Sequence, residues 1–169
     1  MKMTSAQAAK LLRQLNDELR TLHYREEQTK TFLAALGEDV ESVRPSYDYA
    51  AMQAAQTELE GKIRKVKHAL NVFNTTQIIP GFEMTVDEML VYLPQLTERC
   101  RRLSEMKDAL PKVRENTGYS RGSTVIDYRY ANYDIAAAAA DYETASQLLA
   151  KAQTALDLVN STAELELPI

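Results

Sequence analysis

Tryptophan is absent from this chain of 169 residues, which has only one cysteine, two histidines, five glycines and five prolines. The single cysteine, Cys100, excludes an intramolecular disulfide framework and is typical of a reducing compartment. Few glycines and prolines favour long regular elements over a loop-rich sandwich. The net charge of −4 argues against general nucleic-acid binding, which requires a basic face. We therefore expect a single helical domain, residues 1–169, without a nucleic-acid partner.

Long hydrophobic runs are also missing. The longest, from Ile135 to Ala140, is mostly alanine and is far shorter than the roughly 20 residues that a membrane-spanning helix needs. The N-terminal segment shows no apolar core followed by a small-residue cleavage site, so the sequence predicts no secretory peptide. These absences predict a cytoplasmic protein without a membrane span.

The patterns that mark catalytic or metal sites are not found. A di-metal site in a four-helix bundle requires Glu-x-x-His on two helices. The residues three positions before His23 and His68 are Arg20 and Lys65, so neither histidine completes that motif. There is no glycine-rich phosphate loop and no nucleophile elbow, and Cys100 lies at a heptad core position, where cysteine is usually a small buried hydrophobe. We expect no catalytic residue, no metal and no cofactor, and therefore no enzyme.

Heptad periodicity is what the sequence does have. In the last third of the chain, mostly apolar residues recur at alternating spacings of three and four positions: Ile135, Ala138, Tyr142, Ala145, Leu149, Ala152, Leu156 and Val159. Subtracting 86 from each residue number gives a second set with the same steps: Tyr49, Met52, Gln56, Leu59, Ile63, Val66, Leu70 and Phe73. We call each of these sets, which would lie along one face of a helix, a seam. Asp48 and Asp134 precede the two seams, each placed to cap a helix. The shared spacing predicts a duplication.

Two looser seams predict a partner for each of these helices. Their offset in residue number is 81, and the later one begins with a capping box, Thr85 to Glu88. The predicted helices cover residues 5–36, 48–74, 86–114 and 134–160. The sequence thus predicts an all-α protein, an antiparallel four-helix bundle of two duplicated long helical hairpins with pseudo-repeats at about 5–80 and 86–168. Short extended or β segments are expected in the connections, at 78–84, 124–130 and 163–169.

The connection before the last helix has an unusual composition, with four tyrosines and two arginines: Tyr119, Arg121, Tyr128, Arg129, Tyr130 and Tyr133. Both residue types are favoured in interface hot spots, although half-buried strands also favour tyrosine. In the tail, Leu165 and Leu167 alternate with polar residues and share one face. Within the chain, the strand at 124–130 and the tail have only the arm at 78–84 to pair with, and Pro80 limits that pairing. Because exposed strand edges are usually covered, these segments predict a homo-oligomer, most simply a dimer.

Several short motifs are similar to those of a known family. The segment Asn160-Ser161-Thr162-Ala163-Glu164-Leu165 resembles the Asn-Trp-Thr-Thr-Glu-Leu ending of small bacterial proteins called septicolysin-like, although Ser161 replaces tryptophan. Asn71-Val72-Phe73-Asn74 looks like that family's Asn-Arg-Thr-Asn segment, and Tyr119-Ser120-Arg121 with Tyr133-Asp134-Ile135-Ala136 is similar to its Tyr-Ser-Arg and Val-Asp-Val-Ala motifs. The resemblance implies an intracellular helical protein without an established activity, and the family name suggests cytolysis.

Three functions are compatible with these features. The first is a non-enzymatic structural or interaction protein that self-associates. The second is a membrane-active, cytolysin-like protein. The third is an enzyme or ligand-binding protein with a site in the Tyr/Arg-rich segment 119–133.

Overall fold

The computed structural model describes residues 1–115 and 126–168, and these residues are mostly helical. Their helices are α1 (Ser5–Thr29), α2 (Val40–Val43), α3 (Tyr49–Thr76), α4 (Val86–Lys107) and α5 (Ile135–Thr162). Their strands are β1 (Lys2–Thr4), β2 (Ile78–Ile79), β3 (Met84–Thr85), β4 (Lys112–Arg114), β5 (Tyr128–Tyr130) and β6 (Glu164–Glu166). The chain divides into two compact units, unit 1 (Met1–Gln77 with Leu158–Ile169) and unit 2 (Ile78–Asp157).

Unit 1 is built on an antiparallel hairpin of α1 and α3. Each helix buries residues one heptad apart, Ala8 with Leu15 and Val66 with Phe73, because that spacing returns to the same face after two turns. Side chains of β6 and of the residue after it complete this core. The apolar stripe of each helix is therefore covered by its neighbour within the unit.

Unit 2 contains α4 and most of α5. Its buried helical residues are Val86, Met89 and Leu96 on α4, and Ala138, Ala145, Ala152 and Leu156 on α5. The three alanines are seven residues apart, as the predicted seam requires. At the far end of α4, the ammonium group of Lys107 lies 5.0 Å from the ring centroid of Tyr142 on α5. The described part of unit 2 thus combines the buried faces of α4 and α5.

The predicted helix starts are confirmed. Thr85 and Glu88 form the capping box of α4, with Glu88 N donating to Thr85 Oγ1 over 3.2 Å and Thr85 N donating to Glu88 Oε2 over 2.7 Å. Thr4 and Gln7 form a second capping box at the equivalent position, the start of α1. Asp48 accepts a hydrogen bond from Ala51 N at the start of α3. The side chain of Asp134 likewise accepts from backbone amides in the first turn of α5.

Two antiparallel strand pairs lie beside these helix starts. In unit 1, β1 pairs with β6 and places Met3 opposite Leu165. In unit 2, β2 pairs with β3 and places Ile79 opposite Met84. The segments expected to be extended at 78–84 and in the tail are therefore strands, each paired within the chain.

The first helix is shorter than predicted. Its seam continues to Leu36, but α1 ends at Thr29, and Leu33 and Leu36 lie in the following loop. Because α3 begins only at Tyr49, a longer α1 has no partner surface on which to bury those leucines. Helical stability comes mostly from such packing. The segment therefore leaves the helix.

The third helix also ends early, at Lys107 instead of residue 114. Pro111 lacks an amide donor and disfavours helical geometry in the residue before it. The residues that follow form β4, which pairs with β5. We expected the strand at 124–130 to lack a regular partner in its own chain, and that expectation was wrong. Residues 124 and 125 lie outside the described part of the chain.

Candidate functional site

The connection between α4 and α5 contains a two-stranded antiparallel ribbon formed by β4 and β5. Lys112 lies opposite Tyr130, Val113 opposite Arg129, and Arg114 opposite Tyr128. The pairing extends by one backbone hydrogen bond at each end, Ala131 N to Pro111 O at 3.1 Å and Glu115 N to Asp127 O at 2.9 Å. All six strand residues are exposed. The ribbon therefore presents both of its faces to solvent.

One face of the ribbon combines two tyrosines with two cations. Residues opposite each other, and residues two apart on one strand, share a face, so this face carries Lys112, Arg114, Tyr128 and Tyr130. We call these four residues the aromatic–basic face. The ammonium group of Lys112 lies 4.0 Å from the ring centroid of Tyr128 and 5.4 Å from that of Tyr130. Both distances are typical of cation–π contacts.

The opposite face of the ribbon carries an ion pair. Arg129 donates from Nε and from one terminal nitrogen to the two carboxylate oxygens of Glu115, at 2.9 and 3.0 Å. This bidentate pair lowers the pKa of Glu115, through the hydrogen bonds first and the positive charge second. The same contacts raise the pKa of Arg129. Arg129 is thus already paired, whereas the cations of the aromatic–basic face lie on the other side.

Tyr133 supports the base of the ribbon. Its hydroxyl donates a 2.8 Å hydrogen bond to the carbonyl oxygen of Met106, in the last turn of α4. Tyr47, which lies 86 residues earlier, makes a similar contact in unit 1, where its hydroxyl donates to Glu26 Oε1 over 2.8 Å. Both tyrosines directly precede the aspartate that caps the next helix. Tyr133 therefore has a positioning role at the hairpin end.

The predicted site residues are divided between the two units. Tyr128, Arg129 and Tyr130 lie on the ribbon, but Leu165 and Leu167 lie in unit 1, where they are 8% and 2% exposed. Their alternation was predicted correctly, but their side chains are taken up within their own chain and are not offered to a partner. Tyr119 and Arg121 lie outside the described residues.

A second exposed segment was predicted only in part: an acidic loop was expected at 37–47, but the leucines before it continue the seam of α1 and were assigned to the helix. Residues 31–41 carry three carboxylates, Glu38, Asp39 and Glu41, and no basic residue. We call these residues the acidic tip. Leu33 is 95% exposed and Leu36 is fully exposed. The glycine after Leu36 has a φ of +87° and turns the chain. The acidic residues from position 38 onward indicated that this part of the chain is exposed.

A polar cluster surrounds Glu26 within the first hairpin. Its carboxylate accepts hydrogen bonds from Tyr47 and Gln53 at one oxygen and from Gln56 at the other, at 2.7 to 2.8 Å. The pKa of Glu26 is lowered, chiefly by the hydrogen bond from Gln56 and then by that from Tyr47. The pKa of Tyr47 is raised, by burial first and by Glu26 second. All donors of this cluster converge on one carboxylate, which suits a structural role.

Residues 1–115 and 126–168 contain no group of three or more His, Cys, Asp or Glu side chains arranged to hold a metal ion. In the same ranges, no helix combines the length and the apolar composition that crossing a membrane requires.

An open cleft of about 710 Å³ lies in unit 1 between α3 and the chain's C-terminal residues, and its lining includes His68, Val72, Phe73 and Leu165.

Comparisons with known proteins show a shared fold. No protein-family model matches the chain, and no curated protein matches it. A similar solved structure is the crystal structure of a functionally unknown conserved protein from Corynebacterium diphtheriae. The sequences are 16% identical, the match covers 98% of this chain and 100% of the other, and the TM-score is 0.60. This likeness supports the mostly helical fold and assigns no activity. The resemblance to septicolysin-like proteins stays a prediction.

Proposed function

We propose that this chain is a non-enzymatic interaction protein of the cytoplasm that self-associates through the aromatic–basic face of its ribbon. The observation that carries the proposal is the exposure of that face: Tyr128 and Tyr130 are 44% and 61% exposed. Tyrosine supplies large contact area at low cost in conformational entropy, and its hydroxyl tolerates water in the free protein. An exposed surface with this composition is typical of an interface hot spot.

The free edges of the ribbon support the same proposal. The bonded pairs of an antiparallel ladder alternate with non-bonded pairs. Here the backbone hydrogen bonds flank Lys112–Tyr130 and Arg114–Tyr128, so these are the non-bonded pairs. Their backbone amides and carbonyls point outward to the two edges. Such edges are templates for pairing with a further segment.

We further propose that the two hairpins are duplicated copies and that together they form the antiparallel four-helix bundle. Adding 86 to both bounds of α3 gives the bounds of α5, and each helix has 28 residues. The capping boxes at Thr4 and Thr85 reproduce the offset of the two looser seams. Applying these two offsets to the pair Met3–Leu165 gives the pair Met84–Ile79, which is also observed. These coincidences support duplication, and the septicolysin-like family remains our proposed assignment.

Substitution of the two ribbon tyrosines tests self-association. We expect the wild-type chain to be a dimer at micromolar concentration. The double variant Tyr128→Ser/Tyr130→Ser should dissociate at least about 30-fold more easily, since the loss of even one hot-spot residue costs about 2 kcal/mol. The measurement is light scattering coupled to size-exclusion chromatography across a dilution series. Tyr24→Ser, which removes an exposed tyrosine of α1, is the matched control and should change nothing. A wild-type chain that is monomeric throughout the series contradicts the proposal.

Membrane activity is the second candidate function, and the exposed Leu33 and Leu36 favour it. Leucines on an exposed loop can enter the interfacial region of a bilayer. Dye release from anionic lipid vesicles is the test, with Leu33→Ser/Leu36→Ser as the variant. Release by the wild type that this variant loses would favour membrane activity over self-association as the primary function.

A further inference from the structure

We propose that the aromatic–basic face receives the acidic tip of a second copy of this chain. The inference rests on the proposed self-association and names the surface that the ribbon contacts. It therefore defines the interface as a contact between two different regions, one supplied by each copy.

The aromatic–basic face has uncompensated positive charge. Lys112 and Arg114 form no salt bridge within residues 1–115 and 126–168, and Lys112 contacts only tyrosine rings among the charged and aromatic contacts found there. The two carboxylates that flank the ribbon strands, Glu115 and Asp127, belong to the register of the opposite face, and Glu115 is paired with Arg129. A partner that brings carboxylates thus gains ion pairs without having to displace existing ones.

The acidic tip has uncompensated negative charge beside exposed apolar side chains. Glu41 is bound through both carboxylate oxygens by Arg44, at 2.7 and 2.9 Å. Among the described residues, the side chains of Glu38 and Asp39 accept only backbone hydrogen bonds, from Ala35 N at 2.8 Å and from Glu41 N at 3.2 Å. Their charges are therefore available to cations of a partner.

The two surfaces complement each other in both charge and polarity. Glu38 and Asp39 offer two negative charges to the two cations of the face. Leu33 and Leu36 offer apolar surface to the rings of Tyr128 and Tyr130. Burial of these rings supplies most of the favourable free energy at such contacts. Single-stranded nucleic acid is the competing anionic partner, but phosphate recognition depends on many cations, and this face has two. The tip matches the face better because it also covers the rings.

A contact between unlike regions has a consequence for symmetry. When two copies are related by a two-fold axis, each can give its face to the other's tip, and the assembly closes as a dimer. Without that axis, the same contact repeats from copy to copy and gives either a closed ring or an open filament. Light scattering distinguishes these assemblies by mass.

Charge reversal on each side tests the inference. The face variant is Lys112→Glu/Arg114→Glu, and the tip variant is Glu38→Lys/Asp39→Lys. Each variant alone brings like charges together and should associate at least about tenfold more weakly than the wild type. An equimolar mixture places the acidic tip of one variant against the basic face of the other, and also the basic tip against the acidic face. We expect the mixture to recover association, measured by light scattering, with one copy of each variant per complex.

The controls separate failure of the inference from failure of the proposed function. Lys65→Glu/Lys67→Glu reverses two exposed charges on α3 and should leave association unchanged. Because Asp39 caps α2, a second tip variant, Leu33→Ser/Leu36→Ser, keeps that cap and should also weaken association at least about tenfold, as expected for lost apolar contact. Helical circular dichroism confirms that each variant is folded.

Each outcome bears on one of the two proposals. A wild type that is monomeric overturns self-association itself. If the wild type associates and both tip variants associate equally well, self-association stands and the acidic tip is not the partner surface. If the charge-reversed variants are each monomeric but their mixture is not restored, the two regions do not contact each other and the inference is overturned.

Discussion

At the scale of single residues, both hairpins place a polar pair at the same position of their seams. Glu26 on α1 is hydrogen-bonded to Gln56 on α3. At the equivalent positions of the second hairpin, Lys107 on α4 lies over the ring of Tyr142 on α5. A polar residue in an apolar seam lowers stability but specifies the register of the two helices. The two pairs thus lie at positions that differ by the seam offsets, 81 from Glu26 to Lys107 and 86 from Gln56 to Tyr142, while their chemistry differs.

Glu26→Gln should destabilise the protein in a pH-dependent way. Glutamine has the same shape, but its amide group presents a donor where three donors already converge. The pKa of Glu26 is lowered in the folded protein, so its carboxylate contributes stability fully above the unfolded-state pKa, about 4.3. That contribution is lost as the pH falls through the lower folded-state pKa. We therefore expect a difference in unfolding free energy between wild type and variant at pH 7 that shrinks by pH 3, measured by urea unfolding.

Glu27→Gln is the matched control for this measurement. Glu27 is the next residue and forms an exposed ion pair with Lys30, and exposed pairs of this kind contribute little to stability. A Glu26→Gln variant as stable as Glu27→Gln at pH 7, or a difference that grows on acidification, would show that the cluster around Glu26 does not stabilise the hairpin.

At the scale of elements, the sequence predicts α3 and α5 well because two independent signals agree. The seam gives the helix and its buried face, and the aspartates at 48 and 134 mark where it begins. The observed helices Tyr49–Thr76 and Ile135–Thr162 therefore start one residue after the predicted starts and end two residues after the predicted ends. The heptad pattern also places the buried alanines of α5 correctly, because burial in a helix follows its period.

The ends of α1 and α4 could not be predicted from periodicity. A seam states which residues can face a partner but not where the partner helix begins. Leu33 and Leu36 continue the spacing of α1, yet α3 starts too late to cover them. Beyond Lys107, Pro111 gave a local signal of the change in α4, but the pairing of residues 112–114 with 128–130 is a contact between distant segments. A local sequence pattern does not predict contacts of this kind.

The candidate site was predicted in part for the same reason. The tyrosines of β5 could be recognised from composition, but their neighbours Lys112 and Arg114 lay in a segment expected to be helical. The aromatic–basic face exists only because β4 pairs with β5. Leu165 and Leu167 were predicted to share a face, which is correct, but their partner strand begins at Lys2, at the other end of the chain.

At the scale of the whole molecule, the two ends of the chain are joined by a strand pair. Met1 N donates to Leu167 O over 2.9 Å, and Leu167 N donates to Met1 O over 2.8 Å, which continues the pairing of β1 with β6. The equivalent strands β2 and β3 are joined covalently by the turn at residues 80–83. If the halves are duplicates, the two strand pairs are equivalent, and a chain closed between β6 and β1 and opened between β2 and β3 should keep both.

A circular permutant tests this equivalence. The two reciprocal hydrogen bonds make Met1 and Leu167 a bonded pair, which a two-residue Asn-Gly turn can close. The permutant links Leu167 to Met1 through Asn-Gly and opens the chain between Gly81 and Phe82. We expect it to fold, to keep its helical circular dichroism and to unfold cooperatively, because each new end lies at an existing strand pair. Its Tm should lie within roughly 10 °C of the wild-type value, a loss of a few kcal/mol for a chain of this size.

The control permutant carries the same Asn-Gly link but opens between Gly61 and Lys62, inside α3. That break interrupts backbone hydrogen bonds of a helix that buries Val66 and Phe73 on its C-terminal side, so this permutant should unfold at a much lower temperature. Equal stability of the two permutants would show that the chain tolerates an opening at 80–83 no better than one inside a helix. A third molecule, the cyclic chain with the same Asn-Gly link and no new opening, completes the comparison. If it folds and the first permutant does not, β2 and β3 need their covalent turn where β1 and β6 do not. The two connections would then not be equivalent, and duplication would have to be argued from α3 and α5 alone.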